Sequence, residues 1–420
     1  MELITLENGL RVICSPDEAL RSVNISVWVA SGSRFENVNN MGISHFIEHM
    51  LFKGTHKRSS FEIAAQADEI GAHLNAYTTK EYTHYYIKAL GHHLEKACDI
   101  IFDMLTSPLL NDTDIETERG VILEEIAMCD DDPSDVCFGL LEKTLMPKQS
   151  LGYEILGTKE TVQSFTADDL RAHLNKYYVP ERIVVGISGC FEKDEAERII
   201  TQHLGGMRNT GFPAEFSPVT LSTGFKVKKR SFEQTQLMLA FPAVGSDNKV
   251  RYPLQVLVSV LGSSSSSRLN QRIREQLGLV YSIDAWLSQA IGSGFLGISL
   301  ALTPQSEQKA LEETCKVLRE FSDSLTQKEL DVAKEKVKSN LIMSRETPHS
   351  RLAANGYSQI TRGEFVCDDD IIEAINSLTL EKARELSTQI IDSSKLCFVA
   401  TGKVKEAEYY RSIIENAFRQ

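Results

Sequence analysis

The sequence predicts an α+β protein of two similar domains, each a mainly antiparallel sheet with helices packed on one face. Three observations predict it. Strand-like and helix-like segments follow one another in the same order in both halves of the 420 residues, both halves close with a helix, a strand and a glycine, and a loop-rich stretch separates them. Grouped strands with long helices between them are the pattern of a sheet covered by helices.

The elements bear this out in order. β-rich runs at 23–30 and 235–241 open the two halves. Helix-like segments follow at 41–52 and 252–261, and then a helix ending in glycine, Ala-Asp-Glu-Ile-Gly71 in one half and Arg-Glu-Gln-Leu-Gly278 in the other. β-like stretches come next, at 74–90 and 280–302. A helix at 166–177 leads to a strand at 182–188 and Gly189; a helix at 379–391 leads to a strand at 395–401 and Gly402. The intervals Gly71–Gly189 and Gly278–Gly402 are close in length, as a duplicated unit requires. Segment 206–222 is rich in Gly, Pro, Asn, Ser and Thr without helical periodicity and reads as a linker between domains at 1–205 and 223–420. The serine run Ser263 to Ser267 reads as a flexible turn.

Composition excludes several classes. A net charge of −13 does not suit a nucleic-acid backbone. No apolar run approaches the roughly 20 residues of a membrane span, and the start shows no basic stretch before an apolar one, so neither a membrane partner nor a secretory signal is expected. Eight scattered cysteines without a Cys-x-x-Cys pair suggest reduced thiols and a cytoplasmic setting.

The chemistry concentrates in Gly42-Ile-Ser-His45-Phe-Ile-Glu48-His49-Met-Leu-Phe-Lys-Gly54. Helix positions i and i+4 share a face, so His45 and His49 present their rings to one metal ion. The residues between them are apolar, and histidines in such a segment need partners. Glu48 projects beside the metal, where a general base takes a proton from a water at the ion. The order is the reverse of the commoner His-Glu-x-x-His. Catalytic zinc uses three protein ligands and an open position, so a third donor must come from another element. The run Thr117-Glu118-Arg-Gly-Val-Ile-Leu-Glu124-Glu125 reads as a helix, with Glu118 and Glu125 nearly superposed on one face. Glu125 is the expected ligand and Glu118 the carboxylate that orients a histidine. Glu124 points about a third of a turn away, and on periodicity alone a solvated acidic face explains the run equally well. The remaining histidines read as packed or surface residues.

Taken together, these residues resemble the pitrilysin–insulysin clan of zinc peptidases, and within it the short two-domain members similar to mitochondrial processing peptidase. The carrying motif is His45-Phe-Ile-Glu48-His49 with Met-Leu-Phe-Lys-Gly-Thr55, followed by Glu118 to Glu125 at the customary distance. The resemblance implies one zinc ion per chain on His45, His49 and Glu125, Glu48 as base and Glu118 in support. Asn75, Ala76, Tyr77 and Thr78 resemble the edge strand on which family members lay the substrate backbone. The stretch Ser267-Arg268-Leu-Asn-Gln-Arg272-Ile-Arg274-Glu-Gln-Leu-Gly278-Leu-Val-Tyr281 resembles the family's Arg–Tyr element, whose Arg274 and Tyr281 would contact substrate carbonyl oxygens; Arg272 competes for the arginine role. A run that is often glycine-rich in the family is here mostly serine, which puts that loop's close backbone approach in doubt.

The second half lacks the metal motif: aligning the halves on Gly71 and Gly278 puts Tyr252, Gln255 and Val256 where His45, Glu48 and His49 stand. The resemblance therefore implies one metal half and one substrate-contact half. It also implies two such chains, identical or related, closing around a peptide or unfolded polypeptide. The expected activity is zinc-dependent endopeptidase cleavage of peptides or leader segments; the alternative is a non-catalytic assembly or binding subunit.

Overall fold

The computed structural model describes residues 1–217 and 219–419. The chain forms two compact units. The first gathers Met1–Ala127, Tyr153–Glu215 and Ser344–Val366; the second gathers Met128–Gly152, Phe216–Met343 and Cys367–Gln420.

The sheet of the first unit comprises β1 (Glu2–Thr5), β2 (Arg11–Pro16), β3 (Ser22–Val29), β4 (His73–Thr78), β5 (Thr83–Leu90) and β6 (Ile183–Gly189), in the order β1-β2-β6-β3-β5-β4. The second has β7 (Gly224–Lys229), β8 (Thr235–Ala243), β9 (Ser282–Ala290), β10 (Ser293–Leu302) and β11 (Cys397–Gly402), in the order β7-β11-β8-β10-β9. Apart from β1, the two orders correspond strand for strand. In each sheet one pair is parallel, β2 with β6 and β7 with β11, and the others are antiparallel. The architecture is thus the two-domain α+β arrangement expected.

Matched glycines mark the duplication at backbone level. Gly71 and Gly278 have φ of 61° and 60°; Gly189 and Gly402 have φ of 116° and 113°. At the second pair the backbone also passes close to the start of the neighbouring strand. A Cβ would sit 2.1 Å from the carbonyl of Ser22 at Gly189 and 2.7 Å from that of Gln234 at Gly402. A side chain is excluded by conformation and by space alike.

Strand β3 is buried on both faces, and on its second face Asn24, which donates to Ser26, stands beside Trp28. Val23, Ile25, Val27 and Val29 point into the main core, shared with the helices that cover one face. Trp28, with Ile13, Ala30 and Val184, packs on Leu352 and Ile360 on the other. Those two residues lie on the helix Pro348–Arg362, which comes from late in the sequence. Gly356 makes room for the indole, since a Cβ there would lie 2.4 Å from it. In the second unit Cys137, Leu141 and Leu145 of the helix Pro133–Leu145 pack on Met238, Ala240, Cys397 and Val399. Each sheet therefore carries one further helix on its second face, drawn from the other half of the sequence. The physical reason is that the second face of each sheet carries an apolar patch that needs cover of its own.

Candidate metal centre

Helix α1 (Ile43–Leu51) follows β3. Ile43, Ser44, Phe46, Ile47, Met50 and Leu51 are buried, and Phe46 meets Phe165 edge to face with centroids 5.7 Å apart. The residues of α1 left half-exposed are His45, Glu48 and His49. Burial thus fixes the helix's rotation, and rotation puts its three chemical side chains on one open stripe.

Helix α2 (Asp112–Asp131) brings the carboxylates. Its buried residues Ile115, Glu118 and Ile122 define the inward face. Glu118 Oε2 lies 3.0 Å from His49 Nδ1, and its Oε1 lies 2.5 Å from Lys53 Nζ. One helical stretch onward, Glu125 Oε2 stands 3.7 Å from His49 Nε2 and 3.8 Å from His45 Nε2. One ring is thus approached at both nitrogens by carboxylates seven residues apart, as a helix face allows. Glu124 is exposed, and Glu116 turns to Arg119 at 2.9 Å. Among the described residues, His45, His49 and Glu125 are the one set of three metal-ligating side chains whose donor atoms lie within 4.8 Å of one another.

Glu48 is oriented from the sheet. Thr78 Oγ1, on β4, donates to Glu48 Oε2 at 2.5 Å. The neighbouring Thr83 donates to the carbonyl of Ser31 at 2.7 Å, which leaves the Thr78 hydroxyl proton to Glu48. Burial pushes the Glu48 carboxyl up, and the Thr78 hydrogen bond and the nearby His49 pull it back. His45 is held neutral: burial, with His49 beside it, lowers it to about 3.

The donor set fits a zinc ion. Three ligands about 2.0–2.1 Å from a tetrahedral centre stand about 3.4 Å apart; the observed separations of 3.7 and 3.8 Å are close to that spacing and too long for hydrogen bonds. A neutral imidazole whose Nδ1 is buried without a partner is also the protonation state a metal needs at Nε2.

Strand β4 is a sheet edge, so half of its amides and carbonyls face no partner strand. Its side chains alternate. Leu74, Ala76 and Thr78 are half-buried, while His73, Asn75 and Tyr77 are exposed. Asn75 Oδ1 accepts from the amide of Ala76 at 2.8 Å, and Tyr77 meets His84 edge to face at 5.1 Å.

In the second unit, Asn270–Gln276 is a π-helix, and it carries both candidate arginines. Arg272 is committed to Glu313 at 2.9 Å, whereas Arg274 is half exposed with Glu275 no nearer than 4.0 Å. Tyr281 is 74% exposed. The helix Arg251–Leu261, the counterpart of α1, offers no metal donor. Sequence reasoning passed over Thr78 and Lys53 as partners of Glu48 and Glu118. The Lys-Gly after the histidine motif was the only local hint, and the Thr78 contact joins residues 30 apart.

Two family profiles match the chain. One, described as "Insulinase (Peptidase family M16)", covers residues 11–159. The other, described as "Peptidase M16 inactive domain", covers residues 164–337. Among curated proteins, the uncharacterized zinc protease YmxG of Bacillus subtilis is 37% identical over 389 residues, which are 92% of this chain and 94% of that protein. The uncharacterized zinc protease ML0855 of Mycobacterium leprae is 34% identical over 396 residues, covering 92% and 88%. Among solved structures, a protease from Helicobacter pylori matches with a TM-score of 0.86 at 21% identity over 96% of this chain and 99% of that one, a likeness of fold.

Proposed function

The chain belongs to the insulinase-type peptidase family M16, and on that premise we propose that it is a zinc-dependent endopeptidase that hydrolyses peptides or leader segments. The observation that carries this reading is the convergence of His45, His49 and Glu125 beside a carboxylate, Glu48, that is oriented independently of them. His45, His49 and Glu125 are the proposed zinc ligands. Zinc, when bound, would supply Lewis acidity toward water and the scissile carbonyl.

The residues of this chain do the rest. Thr78 holds Glu48 Oε2, so Oε1 faces the attacking water and takes its proton, then gives it to the departing amine nitrogen. Glu118, paired with Lys53, fixes the ring of His49 through Nδ1 and so keeps Nε2 turned toward Glu125, with which it would hold the ion. The open edge of β4 at Asn75, Ala76 and Tyr77 receives the peptide as an added strand through main-chain hydrogen bonds, which suits many sequences. Arg274 and Tyr281, both solvent-facing, donate to peptide carbonyls, in a substrate chamber completed by a second chain, identical or related.

Glu48→Gln tests the reading. The variant should keep its metal and lose cleavage of a mixed peptide library by about 10²–10⁴-fold, read by mass spectrometry. Persisting cleavage removes Glu48 as the base. Zinc bound by the wild type without cleavage of any peptide supports the non-catalytic alternative.

A further inference from the structure

The helix that carries the proposed site has no cap of its own. The first amides of any helix lack intrahelical partners and need acceptors. At the start of α1 stands Gly42, with φ of 91° and no side chain to offer. The acceptor comes from upstream. Glu36 is buried, 6% exposed, and uses both oxygens: Oε2 accepts from the amide of Gly42 at 2.7 Å and Oε1 from the amide of Ser44 at 2.9 Å.

The same entry is gripped from a second side. Thr161 Oγ1 donates to the carbonyl of Met41 at 2.7 Å. Gly157 lies so close that a Cβ there would stand 2.2 Å from that oxygen, and a Cβ on Gly42 would stand 2.5 Å from the carbonyl of Leu156. Both amides held by Glu36 lie within three residues of His45 in sequence. An exposed Ser or Asp would cap a helix without the desolvation cost of burying a carboxylate. That cost is visible: burial pushes Glu36 up to about 7 against the pull of the two amides. A negative charge at this end also complements the helix dipole.

We propose that Glu36 is a positioning residue for the hydrolytic site, clamping the N-terminus of α1 so that His45, Glu48 and His49 keep their rotation toward Glu125 and Thr78. The proposal rests on the endopeptidase reading for its kinetic consequence, but the clamp itself is measurable without it. Displacements near 1 Å at a reacting centre cost about 10²-fold in rate.

The test is Glu36→Gln, which keeps the volume and puts an NH₂ group against one of the two amides. Amide hydrogen exchange is measured at Gly42 and Ser44 in the wild type and the variant, and kcat and KM are measured on a cleaved peptide with both proteins zinc-loaded. Glu36→Asp, which keeps the charge on a shorter arm, serves as a second variant should Glu36→Gln fold poorly. The expected result is faster exchange at both amides and a kcat at least about tenfold lower with KM within about twofold. Unchanged exchange at Gly42 and Ser44 overturns the clamp whether or not any peptide is cut. Faster exchange with a wild-type kcat overturns the positioning role. If the wild type cuts nothing, the endopeptidase reading fails, and the exchange data still decide the clamp.

Discussion

His49 is held at Nδ1 and approached by Glu125 at Nε2, and that sets what single substitutions do. Glu118 accepts from Nδ1 and is itself neutralised by Lys53, so its charge is satisfied although the side chain is only 4% exposed. Glu118→Gln should leave the ligands in place yet weaken zinc affinity by about 10–100-fold, measured by competition with a chelator; unchanged affinity would show the Glu118 contact to be incidental. Thr78 donates to Glu48, the proposed base, and not to a proposed metal ligand. Thr78→Val should lower kcat by at least about tenfold with zinc content intact, and Thr78→Ser, which restores the hydroxyl, should recover most of the loss. Equal rates for the valine and serine variants would contradict that role. Much at this scale was legible in the sequence. The spacing His45–His49 and the spacing Glu118–Glu125 are both helix spacings, so each pair announces a shared face. Thr78, Lys53 and Glu36 were not legible as partners, because each acts through a contact that periodicity does not encode: strand to helix, turn to helix, or loop to helix start.

At the scale of elements, the two units solve the joining of their helices differently. In the first, α1 and α2 meet through the histidines and carboxylates. In the second, Arg268 leads into the π-helix Asn270–Gln276 and forms a two-pronged pair with Glu329 on the helix Gln327–Ser344, with Nε and Nη2 each 2.7 Å from an oxygen. That pair holds the Glu329 carboxyl down to about 2, from an ordinary 4.5, chiefly through the hydrogen bonds from Arg268. On acidification the unfolded chain takes up this proton first, so the pair's contribution is complete above about pH 4.5 and is lost as pH falls toward 2. Glu329 is partly exposed, which discounts the pair to about 1 kcal/mol. Denaturant unfolding of wild type and Glu329→Gln should differ by about that much at pH 7, with the gap narrowed at pH 3 and closing toward pH 2; a gap independent of pH would contradict the assignment. The elements themselves were largely readable. The glycines that ended helices and strands in the two halves prove to share their φ values pairwise. The π-helix was not readable, since its residues satisfy ordinary helix periodicity equally well.

For the whole molecule, the duplication was visible as a repeated order of elements, and the correspondence of the two strand orders expresses it in space. What the linear order concealed is the exchange of the helices Pro133–Leu145 and Pro348–Arg362. The hint lay in Trp28, which stands on the face of β3 opposite Val23, Ile25 and Val27 and so requires cover from somewhere. No local pattern says which distant helix supplies that cover. No helix among the described residues is long and apolar enough to cross a membrane. Among the described residues the one cluster of three metal-ligating side chains lies in the first unit. Elemental analysis of the purified protein, beside His45→Ala and His49→Ala, tests it most directly. The expected result is close to one zinc ion per wild-type chain and close to none in either folded variant. A wild-type chain that stays metal-free in zinc-containing buffer, or variants that keep the wild-type zinc content, would contradict it.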